Sequence, residues 1–225
     1  MFRAVIFDMD GLLVDSEPFW RKAEVRIFAE QLGLTVSEAQ CAETMGMRID
    51  QVVARWAARS ALPSPDCKAI VNAIVDQVCE YVRIDGTALP GVEQVIDLLH
   101  QRRIPMAVAS SSPQRLIDAV LGRLGLDSVI TLSCSAEHEA KGKPDPAVFL
   151  TTAKRLQVPA RECLVFEDSA VGVTAAKSAG MCAVAVPAAD QLTQPGFAAA
   201  ERVLSSLEQF TNVLLEDLAS AWFRP

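Results

Sequence analysis

Ala4-Val5-Ile6-Phe7-Asp8-Met9-Asp10-Gly11 decides how this chain is read. The first four residues are a continuous apolar run with two β-branched members, the pattern of a buried parallel strand. Two carboxylates follow at its C-terminal end, one residue apart, and a glycine comes at once after them. In open α/β sheets ligands bind at that edge. If the chain stays extended, Asp8 and Asp10 share a face, because alternate side chains do. Like charges that close are costly unless a cation or a shared proton relieves them. A divalent metal, with one carboxylate left free for chemistry, is the reading that resolves the conflict. Helix capping and turn formation also use aspartate. A calcium-binding EF-hand loop opens Asp-x-Asp as well, but needs glycine sixth and a ligand fifth. Here Gly11 is fourth and Leu12 fifth, which excludes it.

Working outward, the 225 residues are 51% hydrophobic, enough for one large α/β domain or a core with a modest insertion. Lysine and arginine number 21 against 28 acids, a net charge of -7. No basic stretch offers itself to nucleic acid or to an anionic membrane surface, so neither partner is expected. Cys41, Cys67, Cys79, Cys134, Cys163 and Cys182 are scattered without C-x-x-C spacing. They read as buried thiols in a reducing compartment rather than disulfides or zinc ligands. The first strand begins almost at Met1, no apolar run approaches membrane-spanning length, and no leader is expected. A cytoplasmic protein is the expectation.

The pattern turns helical from Glu17 to about residue 83. Pro18 suits a first helical turn, and Phe19, Ala23, Ile27 and Leu32 lie near one face before Gly33. A short helix from Val36, another over 48–59 and a third after Leu62-Pro63-Ser64-Pro65 complete this stretch. Beyond Pro90-Gly91, helices are expected at 92–102, 113–124, 145–156 and 169–180. Strands are expected at 104–109, 128–132, 163–166 and 182–186, with an edge strand at Val203-Leu204. Strands alternating with helices define an α/β fold with a doubly wound, Rossmann-like parallel sheet. Residues 1–14 and 86–225 form its core, and 15–85 form an inserted helical-bundle cap. The hinges fall near Val14-Asp15 and Ile84-Asp85-Gly86. The tail carries Trp222 and Phe223, and the sequence leaves their packing open.

Each strand expected near the sheet centre ends in polar chemistry. Asp8 and Asp10 close the first, Ser110-Ser111-Ser112 the next and Glu167-Asp168 a later one, while Lys143 precedes a helix in Gly142-Lys143-Pro144. Taken singly, each has a plainer explanation as a cap or a solvated charge. Together they suit phosphoryl transfer. An aspartate can attack phosphorus and split one hard step into two. A second carboxyl can protonate the leaving alkoxide, then take a proton from the attacking water. Cations and donors must surround the charged equatorial oxygens.

With these four motifs in order, the chain resembles the haloacid dehalogenase-like superfamily over essentially its whole length. Phe166-Glu167-Asp168-Ser169-Ala170-Val171-Gly172 is similar to that family's fourth motif, and the helical insertion to its small cap. The resemblance implies Asp8 as nucleophile and Asp10 as acid and base. It implies Ser110, with Ser111 beside it, and Lys143 on the phosphoryl oxygens. It further implies Mg2+, with Mn2+ or Co2+ as substitutes, held by Asp8, the Asp10 carbonyl and Asp168, with Glu167 assisting directly or through water. Dehalogenases lack the second aspartate, so Asp10 argues against that branch. Asp15-Ser16-Glu17-Pro18-Phe19-Trp20 and Met45-Gly46-Met47-Arg48-Ile49-Asp50 resemble bacterial phosphatases of 2-deoxyglucose 6-phosphate and hexitol phosphates. A monomer acting on a small phosphorylated sugar is expected. β-Phosphoglucomutase carries a histidine where Trp20 stands, which weakens that alternative. A phosphoglycolate-type phosphatase and a non-catalytic binding protein stay open. In the cap, Arg48 is a candidate grip for a substrate hydroxyl or second phosphate against a surface charge. Trp20 either walls the site or fills the cap core. His100 and His138 are expected at the surface, and Met45 and Met47 in packing.

Overall fold

The structure is a computed structural model describing residues 1–44 and 46–224. Strand β1 (Ala4–Phe7) forms from the continuous apolar run, with all four side chains buried. Around it stand β2 (Met106–Ser110), β3 (Leu132–Ser135), β4 (Cys163–Glu167), β5 (Cys182–Ala185) and β6 (Arg202–Val203). They make one six-stranded parallel sheet in the order β3-β2-β1-β4-β5-β6. This is the doubly wound α/β core expected. The winding reverses between β1 and β4, so the crevice at their carboxyl ends is a topological switch point.

The strands read as unbroken apolar runs because both sheet faces are covered. Val5 and Phe7 enter one buried cluster, Ala4 and Ile6 the other. Leu164 and Phe166 likewise oppose Cys163 and Val165. Phe7 and Phe166 are register partners whose rings stack 5.2 Å apart, and Phe210 meets Phe166 edge-on at 4.7 Å. This aromatic stack lies directly beneath the ends of β1 and β4, and stiffens the floor from which Asp8 and Asp168 project.

One strand differs from expectation. The run at 128–132 is not β3: Val129 and Ile130 donate to the Leu126 carbonyl in a turn, and Ile130 is buried there. The ladder is made by Leu132, Ser133, Cys134 and Ser135 against Ala107, Val108, Ala109 and Ser110, so only the last residue of the expected run pairs. Hydrophobicity marked the segment that plugs the core rather than the one that pairs.

Between β1 and helix α5 (Val92–Gln101), the described residues form α1 (Glu17–Leu32), α2 (Glu38–Ala42), α3 (Ile49–Ala57) and α4 (Cys67–Asp85). α1 stops at Gly33, whose left-handed backbone (φ 65°) an L side chain would resist. α4 starts on Asp66, which accepts the Ala69 N–H at 3.0 Å. α1 and α3 both pack on α4. The two passages joining these helices to the sheet lie side by side, since Val14 bridges Ala88 and the Leu89 N–H reaches the Leu13 carbonyl at 3.1 Å. α4 continues through Asp85, so Ile84 and Asp85 are helical, and the second passage starts at Gly86.

Helices α6 (Gln114–Leu124), α7 (Ala147–Leu156), α8 (Ala170–Ser178) and α9 (Asn212–Trp222) complete the layers. The tail packs back: Trp222 donates to the Arg161 carbonyl at 2.7 Å, and the Phe223 ring lies 5.3 Å from Phe2. All six cysteines are free thiols, buried except half-buried Cys67. No described helix is long and apolar enough to cross a membrane.

Candidate active site

Asp8 leaves β1 with its N–H still bonded to the Phe166 carbonyl at 2.9 Å. The chain does not stay extended to Asp10. It turns, with Leu13 N–H on the Met9 carbonyl and Gly11 N–H on the Val14 carbonyl. Asp8 and Asp10 nevertheless both line one cleft. The reason is the turn rather than strand alternation. Gly11 adopts φ 72°, and a Cβ there would run into the Asp168 carboxylate.

Lys143 is the cation at the centre. Its ammonium, 2% exposed, bonds Asp8 Oδ1 at 2.5 Å and also Glu167 Oε1. Burial disfavours the ammonium, but the charges of Asp8 and Glu167 outweigh it and hold its pKa above the usual value. Glu167 is fully committed: its other oxygen accepts the Ser169 N–H at 3.0 Å and hydroxyl at 2.9 Å. Gly172 is obligatory beneath it, since a Cβ would overlap the carboxylate. Carboxylate oxygens of Asp8, Glu167 and Asp168, all buried, lie within 4.8 Å of one another. Burial pushes Asp8 up to about 8, opposed by Lys143 and reinforced by Glu167 and Asp10. Burial, with the Glu167 and Asp8 charges, raises Asp168 as well. Three acids facing one lysine are short of positive charge, and a hard divalent cation with oxygen ligands fits that donor set.

Asp10 is gripped on both oxygens. Ser16 Oγ (2.5 Å) and Trp20 Nε1 (3.0 Å) donate to Oδ1; Ser112 Oγ (2.6 Å) and, at 3.4 Å, Ser110 Oγ donate to Oδ2. Ser16 and Ser112 escaped the sequence reading, and Trp20 does more than wall the site. Ser16 and Ser112 are buried serines flanking the first two motifs, but serine is common at helix starts and gave no separate signal. The Ser111 hydroxyl is buried at the same cleft with no partner, a donor left over for a bound oxygen.

The structure brings Asp8, Asp10, Ser110, Ser111, Lys143 and Asp168 to one cleft of about 660 Å³, partly open to solvent. Glu167 sits directly behind Lys143. Arg48 is not brought there. Its Nε and NH2 hold Asp50, and NH1 donates to the carbonyls of Ala136 (3.0 Å) and Glu139 (2.8 Å). In this structure its NH1 instead ties the helical insert to the loop after β3. Met47 lines the cleft half out in solvent, and Met45 lies outside the described residues. His100 and His138 are exposed. The cleft's far wall is α1, presenting Glu17, Trp20, Arg21 and Glu24.

A parallel sheet with an acid trio, a buried lysine and a gripped aspartate at its switch point is the framework of a hydrolase site on an α/β core. The haloacid dehalogenase-like hydrolase family model matches residues 2–180, and the chain belongs to that family. Hexitol phosphatase B of Escherichia coli K12 is 36% identical over 209 residues, covering 92% of this chain and 94% of the relative. A phosphorylated carbohydrates phosphatase of Thermotoga maritima is 35% identical over 182 residues, covering 79% of this chain and 82% of its own. Among solved structures, β-phosphoglucomutase of Clostridium difficile superposes with a TM-score of 0.86 over 99% of both chains, at 21% identity. That last likeness concerns the fold.

Proposed function

We propose that this hydrolase is a Mg2+-dependent phosphatase of small sugar phosphates, of the hexose and hexitol kind, working through an aspartyl-phosphate. The observation that carries the reading is the pairing at the switch point of a lysine-bonded Asp8 with an Asp10 held by four side-chain donors. The names of the two phosphatase relatives support the substrate class.

In this reading an Asp8 oxygen attacks phosphorus as the bond to the sugar oxygen breaks. Asp10 gives its proton to the leaving alkoxide. It then takes a proton from the water that attacks the aspartyl-phosphate, which releases inorganic phosphate and restores Asp8. Ser110, the unpartnered Ser111 hydroxyl and Lys143 bind the phosphoryl oxygens. Asp8, Asp168 and the Asp10 carbonyl would hold Mg2+, or Mn2+ or Co2+ in its place. Since Lys143 and Ser169 occupy the Glu167 oxygens, Glu167 acts through them or through water. Bound metal supplies compensating charge for the acids and for the developing phosphoryl charge. Trp20 supports hydrolysis over phosphomutase chemistry, because the cap group on Asp10 is an indole donor that cannot exchange protons at neutral pH. We further propose that residues 15–85 move as a lid on the paired passages at Val14 and Ala88.

The test is a panel of phosphate monoesters with purified protein and Mg2+. Hexose and hexitol 6-phosphates should yield phosphate in step with free sugar, and Asp8→Asn should abolish turnover by several orders of magnitude while remaining folded. Conversion of β-glucose 1-phosphate to glucose 6-phosphate with little free phosphate, followed by phosphorus NMR, would overturn the reading.

A further inference from the structure

Helix α1 buries a carboxylate that the chemistry above does not use. Glu24 is 6% exposed and lines the cleft. The protic group beside it is the Cys41 thiol, a weak donor. A thiol is a poor match for a carboxylate so little exposed, which is costly to keep dry unless stronger donors arrive from the cleft. Glu24 stands four residues after Trp20, whose indole touches Asp10. It therefore lies about 6 Å further along α1 than Trp20. Glu17, Arg21 and Glu24 recur on the same face, with Arg21 3.8 Å from Glu17.

We infer that Glu24 is a specificity-determining residue that accepts hydrogen bonds from the hydroxyls of a neutral polyol or sugar, at the end remote from its phosphate. The inference rests on the phosphatase reading and narrows its substrate class to monophosphates of five- or six-carbon polyhydroxy chains. In this reading a three-carbon chain such as glycerol leaves Glu24 without a hydroxyl to bond. A second phosphate is disfavoured, because this wall carries Glu17 and Glu24 against Arg21 alone, and Arg48 is committed elsewhere. Burial pushes the Glu24 pKa up to about 7, so it acts as a charged acceptor above neutrality, and activities are compared at pH 8.

The experiment compares kcat/KM of wild type, Glu24→Ala and Glu24→Gln with four probes: glucitol 6-phosphate, glycerol 3-phosphate, fructose 1,6-bisphosphate and p-nitrophenyl phosphate. Melting curves of each protein establish folding. The ratio of glucitol 6-phosphate to p-nitrophenyl phosphate should fall at least about tenfold in Glu24→Ala, the scale of one lost bond to a charged acceptor. Glu24→Gln, which keeps an accepting oxygen without the charge, should lose less of that ratio and discriminate less against the bisphosphate. If wild type hydrolyses glucitol 6-phosphate but both folded variants lose activity on all four probes alike, the inference fails and the phosphatase reading stands. If wild type cleaves the aryl ester and no sugar phosphate, both fail together.

Discussion

Glu24→Gln should stabilise the protein, by an amount that grows as pH rises from about 4.5 to about 7. Glu24 faces Arg21 on its own helix and Cys41 on α2, and burial dominates its environment, pushing the carboxyl from an ordinary 4.5 to about 7. Between those values the folded protein keeps a proton that the unfolded chain has released. The unfolded state then binds fewer protons, so stability falls as pH rises through that window and levels off above about 7. Weighting each end by its titration, the loss between pH 5.5 and pH 8 is about 2 kcal/mol from this one group. The glutamine side chain has almost the shape of the protonated acid and cannot ionise. Urea unfolding, fitted by linear extrapolation, should find the variant already ahead by about 1 kcal/mol at pH 5.5, where most of the unfolded chain has ionised, the two being equal only below about pH 4. At pH 8 the advantage should reach about 3 kcal/mol, larger by the loss of about 2 kcal/mol just worked. Mg2+ should leave this difference alone, since Glu24 is no part of the acid trio, and so separates it from Asp8 and Asp168. A variant advantage equal at both pH values, or none at either, would refute the reasoning.

Removing metal with EDTA should abolish turnover, Mg2+ should restore it, and Ca2+, larger and looser in geometry, should inhibit. Mg2+ should also raise the melting temperature more at pH 8 than at pH 5.5, because Asp8 and Asp168 are raised acids that bind it only when ionised; no such difference would count against the acid trio as the metal site. Trp20→Phe keeps the ring but removes the N–H on Asp10 Oδ1, so kcat with glucitol 6-phosphate should drop about tenfold. A nitrophenolate leaving group, which needs no proton, should suffer less, and equal losses would strip Asp10 of its acid role. Arg48→Met removes the ties to the Ala136 and Glu139 carbonyls, so KM should rise several-fold for all substrates alike, as expected of a loosened lid. An effect confined to one sugar would return Arg48 to the substrate.

The sheet and the phosphoryl end of the site were legible because local sequence encodes them. β1 and β4 are buried on both faces and so are written as plain apolar runs, and the residue following each is fixed by where the run stops. Asp8, Ser110 and Glu167-Asp168 therefore fell at the right edge before any coordinates, while Lys143, in a loop ahead of a helix, took its role through the family resemblance. β3 failed for the converse reason. Ser133 and Ser135 pair through backbone groups that carry no side-chain signature, while Val129-Ile130 drew attention by burying themselves in a turn. Within Ser110-Ser111-Ser112, spacing could not say that Ser112 would reach Asp10 and that the Ser111 hydroxyl would stay unpartnered. That depends on how the chain bends after β2.

The cap side was illegible for a deeper reason, and Arg48 and Glu24 show it from opposite directions. Arg48 sits beside Gly46 in a loop, the setting of a ligand-binding charge, but its partners are carbonyls 88 and 91 residues away. Nothing near it in sequence announces them. Glu24 sits in the middle of α1 next to Ala23, where a charged residue reads as part of a solvated helix face. Its burial follows from what lies across the cleft, and α1 accordingly buries Ala23, Glu24, Ile27 and Phe28 together. A helix that places an acid among its apolar positions breaks the local pattern at a cost in stability, and such breaks concentrate where function needs them. The phosphate end is spelled by motifs, because every substrate of such a site shares the phosphate. The end proposed to take the sugar is spelled by exceptions to helical patterning, because there the protein turns polar groups inward against its own folding preference.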